Sequence, residues 1–240
     1  LQQERQPAAI EADMTFLEGV KACIPTLLGY LSIGFAAGVV EQTAGLSVME
    51  IALLSVLVYA GSAQFIFAGM VTASHSALVI IFTVFFVNLR HLLLSAALSP
   101  YFRHLSPLKN FLIGLLVTDE TFGVASSVGQ LKHRLSERFM HGLNITAYVN
   151  WILANIAGAI LGEYISSPEA YGLDFALVAM FIGLLILQMV SRKKLRTDIA
   201  VGVSAILLVV FLGSLGAGSL SVIGAAVLAA GLGVWLERWK

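Results

Sequence analysis

The stretch IIFTVFFVNLRHLLLSAAL, residues 80–98, settles the fold class. A helix needs about 20 largely apolar residues to cross ~30 Å of hydrocarbon, and this run has that length and character. Its strongly polar groups sit together near the middle, at Asn88, Arg90 and His91. Working outward, comparable runs recur with charged or turn-rich breaks between them: 18 to 40, 49 to 71, 76 to 98, 110 to 129, 147 to 165, 174 to 190, 198 to 215 and 219 to 236. Each is continuously apolar and lacks the period-two alternation of a membrane β-strand, and an open sheet edge has no place in lipid. The expectation is an all-α integral membrane protein, a polytopic bundle of about eight transmembrane helices, with seven as the other count.

Composition agrees. Apolar residues make up 58% of the 240 and charged residues 12%, which excludes a water-soluble domain of this length. A net charge of zero leaves no electrostatic footprint for nucleic acid. Cys23 is the single cysteine, so there is no intrachain disulfide and no zinc-ligand spacing. Phosphate-loop, nucleophile-elbow and zinc-protease motifs are missing too, and neither a cofactor nor a metal is expected. Residues 1–15 form a polar segment without a cleavable signal, so run one is expected to serve as its own insertion signal, and residues 16–240 read as one transport domain.

Lysines and arginines orient the bundle. With eight crossings and the N-terminus in the cytoplasm, eleven of them fall inside, and only Arg103 and Lys109 fall outside. Both termini are therefore expected to be cytoplasmic. The dissenting loop between runs three and four marks one of the first four runs as tilted, broken or re-entrant.

Ionisable groups deep in lipid cost ~2.5 to 3.5 kcal/mol on insertion scales, so they are expected to face the bundle interior with partners. Run three contributes Asn88, Arg90 and His91, and run four contributes Thr118, Asp119, Glu120 and Thr121 within FLIGLLVTDETFG. Arg90 is expected to neutralise one acid while the other faces a cavity, with Thr118 and Thr121 adding hydroxyls to that surface. A plainer alternative is an ion pair that only locks two helices. Run two carries VYAGSAQFIFAG, where Gly61, Ser62 and Gln64 fall near mid-membrane. The sharper reading is a helix interrupted near Gly61, with Ser62 capping a second half whose exposed amides hold a carboxylate; the plainer one is close helix packing. Gly34 with Gly38, and Gly158 with Gly162, have the spacing of such packing. Asn150, Asn155 and Gln188 are secondary candidates.

These residues resemble the AzlC family, the large subunits of branched-chain amino-acid exporters. The resemblance rests on Gly19 to Pro25 followed by SIGFAAG, on YAGSAQF, on NLRH at Asn88 to His91, on TDETFG at Thr118 to Gly123, and on GLDFAL at Gly172 to Leu177. It covers nearly the whole chain from Phe16 and departs at Val178, where the family pattern carries proline. It implies export of valine, leucine, isoleucine or methionine across a bacterial inner membrane, together with a small AzlD-like subunit. On this reading Gly61, Ser62, Gln64, Asn88, Arg90, Asp119, Thr118 and Thr121 bind substrate, while Asp119, Glu120 and His91 couple protons. The alternative is a non-transporting scaffold or sensor subunit whose polar cluster locks a partner. An intramembrane enzyme ranks last, because no activated nucleophile accompanies the acids.

Overall fold

In the computed structural model, residues 14–165, 194–216 and 220–238 are described, with isolated positions between 170 and 189. Run six and Gln188 fall largely outside the described residues. All regular structure among those described is helical, and four helices are long and apolar enough to cross a membrane: Phe16–Thr43, Ala77–Phe102, Glu137–Gly162 and Leu195–Ser214. The protein is an integral membrane helical protein. The chain divides into two compact units, Leu1–Leu177 and Val178–Lys240.

Helix α1 (Phe16–Thr43) begins at a capping box, in which Thr15 accepts from the Glu18 amide while the Glu18 carboxylate accepts from the Thr15 amide. α2 (Val48–Leu57) begins with the same device at Ser47 and Glu50, and it is followed by α3 (Gly61–Thr72) and α4 (Ala77–Leu98), which ends in a short 3-10 turn, Ser99–Phe102. Next come α5 (Pro107–Gly114), α6 (Asp119–Lys132) and α7 (Glu137–Gly162). The second unit contains α8 (Leu195–Ser214) and α9 (Leu220–Arg238). These form an antiparallel pair, with Gly224 against Leu212 and Gly233 against Val201.

The spine of the first unit is α1 against α7. A Cβ placed on Gly19 would stand 2.0 Å from the Phe139 carbonyl oxygen, one on Gly38 2.1 Å from that of Asn155, and one on Gly158 2.1 Å from that of Phe35. Only hydrogen fits at these positions, and it lets the two backbones touch. The partners rise in number together, so α1 and α7 run parallel. α7 starts ten residues before run five because its first turns bury Phe139, Met140 and Leu143 in protein and need not be uniformly apolar.

Runs two and four are not single spans, which corrects the count of eight crossings. α2 leaves the far end of α1 and descends until the Val56 carbonyl meets the Tyr148 hydroxyl, halfway down α7. The chain reverses there, at Tyr59, which holds the left-handed conformation at φ 43. α3 then climbs back, with Gly61 beside Trp151 and Gln64 beside Asn155. α4 next crosses to the N-terminal end, where the Tyr101 carbonyl accepts from the Leu135 amide. α5 rises from that end, where Lys109 pairs with Glu137, and it runs antiparallel to α4, with Gly114 at Ser95 and Val117 at His91. After the break at Leu115–Thr118, α6 returns to place Gly129 against Tyr101.

The first unit is therefore α1 plus a hairpin entering from one end, then α4 plus a hairpin entering from the opposite end, then α7. This is an inverted pair of long helix and re-entrant hairpin. It also moves Arg103 and Lys109 to the same end as Lys21, Lys132, Arg134 and Arg138, which removes the charge dissent. By the positive-inside rule that end faces the cytoplasm.

Candidate functional site

Both hairpin tips stop halfway across the first unit, on either side of Tyr30. The Tyr30 hydroxyl bonds to that of Thr118 at the head of α6. The Tyr30 ring lies edge-on to Trp151, with centroids 6.0 Å apart, and Trp151 borders Gly61 at the head of α3. Breaking a helix in lipid orphans backbone groups, and neighbouring side chains take up the carbonyls. Tyr148 donates to Val56 O at 2.8 Å, Asn144 to Ile113 O at 3.0 Å, Ser95 to Gly114 O at 3.2 Å and His91 Nδ1 to Val117 O at 2.8 Å. A carbonyl only accepts, so His91 Nδ1 carries a proton, and its buried Nε2 has no partner among the described residues.

The amide ends of the two tips differ. At α6, Thr118 and Thr121 form a reciprocal capping box, so their hydroxyls serve the backbone, and that of Thr118 also meets Tyr30. At α3 the N-cap is Ala60, with no side-chain cap. Ser62 was expected to cap, but it lies inside the first turn instead, with its buried hydroxyl unpartnered among the described residues. Among the described residues, the first amides of α3 thus form an uncapped, partially positive end at mid-membrane.

The acids divide between two surroundings. Arg90 Nη1 lies 2.8 Å from Asp119 Oδ2, and both side chains are mostly buried, at 24% and 18% exposed. Glu120, the next residue along, approaches Tyr30 and Thr118 instead. Asn88 is on the same helix as Arg90 and His91, its buried Oδ1 without a partner among the described residues. Asn150 donates to Leu27 O at 3.3 Å and ties α7 to α1. Gln64 and Asn155 lie in a second buried cluster around Glu41, on the far side of Trp151 from Tyr30. The sequence reading missed Tyr30, Trp151 and Glu41. Glu41 sits one residue past the end of run one, where a charge reads as a boundary.

The Thr118 cap gives a first prediction. Thr118→Ala removes both the cap and the Tyr30 contact and should cost about 1–2 kcal/mol, whereas Thr118→Ser should stay within about 0.5 kcal/mol of the parent. Thermal unfolding in detergent checks both.

Comparison with known proteins adds identity to this geometry. The sequence model of the AzlC protein family matches residues 25–165, more than half of the chain. The inner membrane protein YgaZ of Escherichia coli is 30% identical over 196 residues, which cover 79% of each chain. An uncharacterized membrane protein of Archaeoglobus fulgidus is 30% identical over 197 residues, 80% of this chain and 83% of its own. The branched-chain amino acid transport protein AzlC of Bacillus subtilis is 27% identical over 192 residues, 80% of this chain and 75% of its own. No solved structure matches.

Proposed function

The chain belongs to the AzlC family, and from that premise we propose that it is a secondary transporter exporting neutral branched-chain amino acids across the bacterial inner membrane. Valine, leucine and isoleucine are the expected substrates, with methionine as a fourth. Export is coupled to proton entry and takes place beside a small AzlD-like membrane subunit. The observation that carries this reading is the meeting of two opposed half-helix tips at mid-membrane around Tyr30, the arrangement in which transporters hold polar solutes. The name of the Bacillus subtilis relative supports the substrate class.

A zwitterion in low dielectric needs a partner for each charge. The uncapped amides at Gly61, Ser62 and Ala63 suit its carboxylate. Asp119 is already engaged by Arg90, so Glu120 suits its ammonium. Protonating Glu120 removes the charge that holds the ammonium, and this makes proton and substrate mutually antagonistic, as antiport requires. His91, whose Nε2 has no partner among the described residues, stands beside the α5–α6 break as a second proton acceptor.

The test is valine efflux from proteoliposomes containing the chain and its small subunit. Outward flux that rises with an inward proton gradient is expected, as is saturable stabilisation of the purified protein by L-valine but not by D-valine or glycine. Stabilisation by the small subunit alone, with no valine flux, would establish the scaffold reading instead.

A further inference from the structure

A second polar cluster lies above the tips, toward the end opposite the lysines and arginines. Glu41, Ser55, Gln64 and Asn155 are all fully buried there, on α1, α2, α3 and α7 respectively. The indole N–H of Trp151 can only donate, and it reaches Gln64 Oε1 at 2.7 Å, which fixes the Gln64 amide with Nε2 facing the cluster. Asn155 Nδ2 donates to the Trp151 carbonyl at 2.9 Å, which turns its Oδ1 inward, and the Ser55 hydroxyl donates to Ile51 O at 2.9 Å.

Counting protons exposes a deficit. Gln64 Nε2 is 3.0 Å from Glu41 Oε1, 3.3 Å from Ser55 Oγ and 3.2 Å from Asn155 Oδ1, so its two hydrogens face three acceptors. Glu41 Oε2, buried as well, has no partner among the described residues. No ion pair involves Glu41 among them either. The charged and titratable groups on the surrounding elements lie elsewhere. Glu50 is exposed at the start of α2, α3 has none, and on α7 Glu137, Arg138 and His141 are at the far end while Glu163 lies exposed just beyond Gly162. Tyr148 is engaged with Val56, and Tyr59 sits at the hairpin tip. On α1 itself, Glu18, Lys21, Cys23 and Tyr30 lie three or more turns away. The cluster offers Glu41 neither a counter-charge nor a donor for Oε2 among the described residues, and Glu41 is its only carboxyl.

We propose that Glu41 is a proton-binding site of this transporter, loaded from the face opposite the basic end, and that Gln64 passes its protonation state to the uncapped head of α3. One proton added at Oε2, the oxygen without a partner among the described residues, gives a neutral carboxyl and removes the buried charge, and no other bond changes. Neutral Glu41 holds Gln64 less strongly than the carboxylate does, so loading loosens the first turn of α3 from α1. The path continues from Gln64 through Trp151 to Tyr30. The inference rests on the transporter reading for its coupling role, but proton binding itself can be read without transport.

The experiment uses the full chain with its small subunit and compares wild type, Glu41→Gln and Glu41→Asp. The pH-difference infrared spectrum of the wild type should contain the carbonyl stretch of a buried protonated carboxyl, and Glu41→Gln should lack that band. In proteoliposomes, Glu41→Gln should keep valine–valine exchange at symmetric pH within about twofold, since Glu41 is outside the proposed substrate site, while gradient-driven efflux falls at least tenfold. Glu41→Asp should retain gradient drive with a displaced pH dependence. A carboxyl band unaltered in Glu41→Gln overturns the proposal. So does gradient-driven efflux equal to wild type, or loss of exchange and drive together in protein with an unchanged thermal midpoint. Wild-type protein that moves no valine would instead defeat the substrate reading, leaving the infrared result to decide proton binding at Glu41.

Discussion

Arg90→Leu is expected to reduce valine efflux at least a hundredfold, a loss of ~2.7 kcal/mol at 1.36 kcal/mol per factor of ten. Removing the guanidinium leaves Asp119 as an unpaired, mostly buried carboxylate in a membrane helix. A fully buried broken pair costs ~3–5 kcal/mol, and with both side chains 24% and 18% exposed the stability loss should be nearer 2 kcal/mol. The double variant Arg90→Leu/Asp119→Leu separates stability from transport, because two apolar side chains leave no charge stranded. Its thermal midpoint should return close to wild type while efflux stays lost. Recovery of efflux in the double variant would reduce the pair to a lock between α4 and α6.

The second large effect concerns the α1–α7 spine. Gly38→Ala and Gly158→Ala would each place a Cβ 2.1 Å from a facing backbone oxygen, and backbone cannot step aside as a flexible side chain can. Overpacking ordinarily costs ~1–3 kcal/mol, and these positions belong at the upper limit or beyond it. Loss of monodisperse, folded protein on size exclusion is the expected readout. Gly69→Ala and Gly123→Ala are the controls, since a Cβ meets nothing within 4 Å at either position. Alanine's helix propensity should leave them neutral or slightly stabilised, by up to ~1 kcal/mol. Equal behaviour of the two pairs would contradict the close backbone approach.

Much of this was legible in the residues, and the reasons differ by element. Apolar run length identifies α1, α4, α8 and α9 because each is a single helix facing lipid along much of its length. The break near Gly61 is readable from small residues interrupting an apolar run. That α2 and α3 fold back on each other is not readable, because hydropathy records depth and carries no direction. A hairpin of two half-length helices and one full crossing score alike. The break in run four did leave a signal: a threonine followed by two acids, Thr118, Asp119 and Glu120, is the signature of a helix start, although it falls within an apolar run. Arg103 and Lys109 carried the other trace, since their misplaced charge is what a miscounted crossing produces. Glu41 gave no sequence signal beyond a lone carboxylate, because its meaning comes from Gln64 and Asn155, which lie 23 and 91 residues away from Glu41 and Gln64 respectively.

The opposed hairpins of the first unit have a consequence for access. Each spans the half of the first unit next to the end it enters from, so on the transport reading each face has its own door to Tyr30, and the two doors are different pieces of chain. The outer door is anchored to the α1–α7 spine through Trp151 and Tyr148, and the inner one leans on α4 through His91 and Ser95. Both doors also touch α7, the inner one through Asn144 and Lys109, but among the described residues the hydrogen bonds to α4 belong to the inner door alone, so on the transport reading it has a hinge that the outer door does not share.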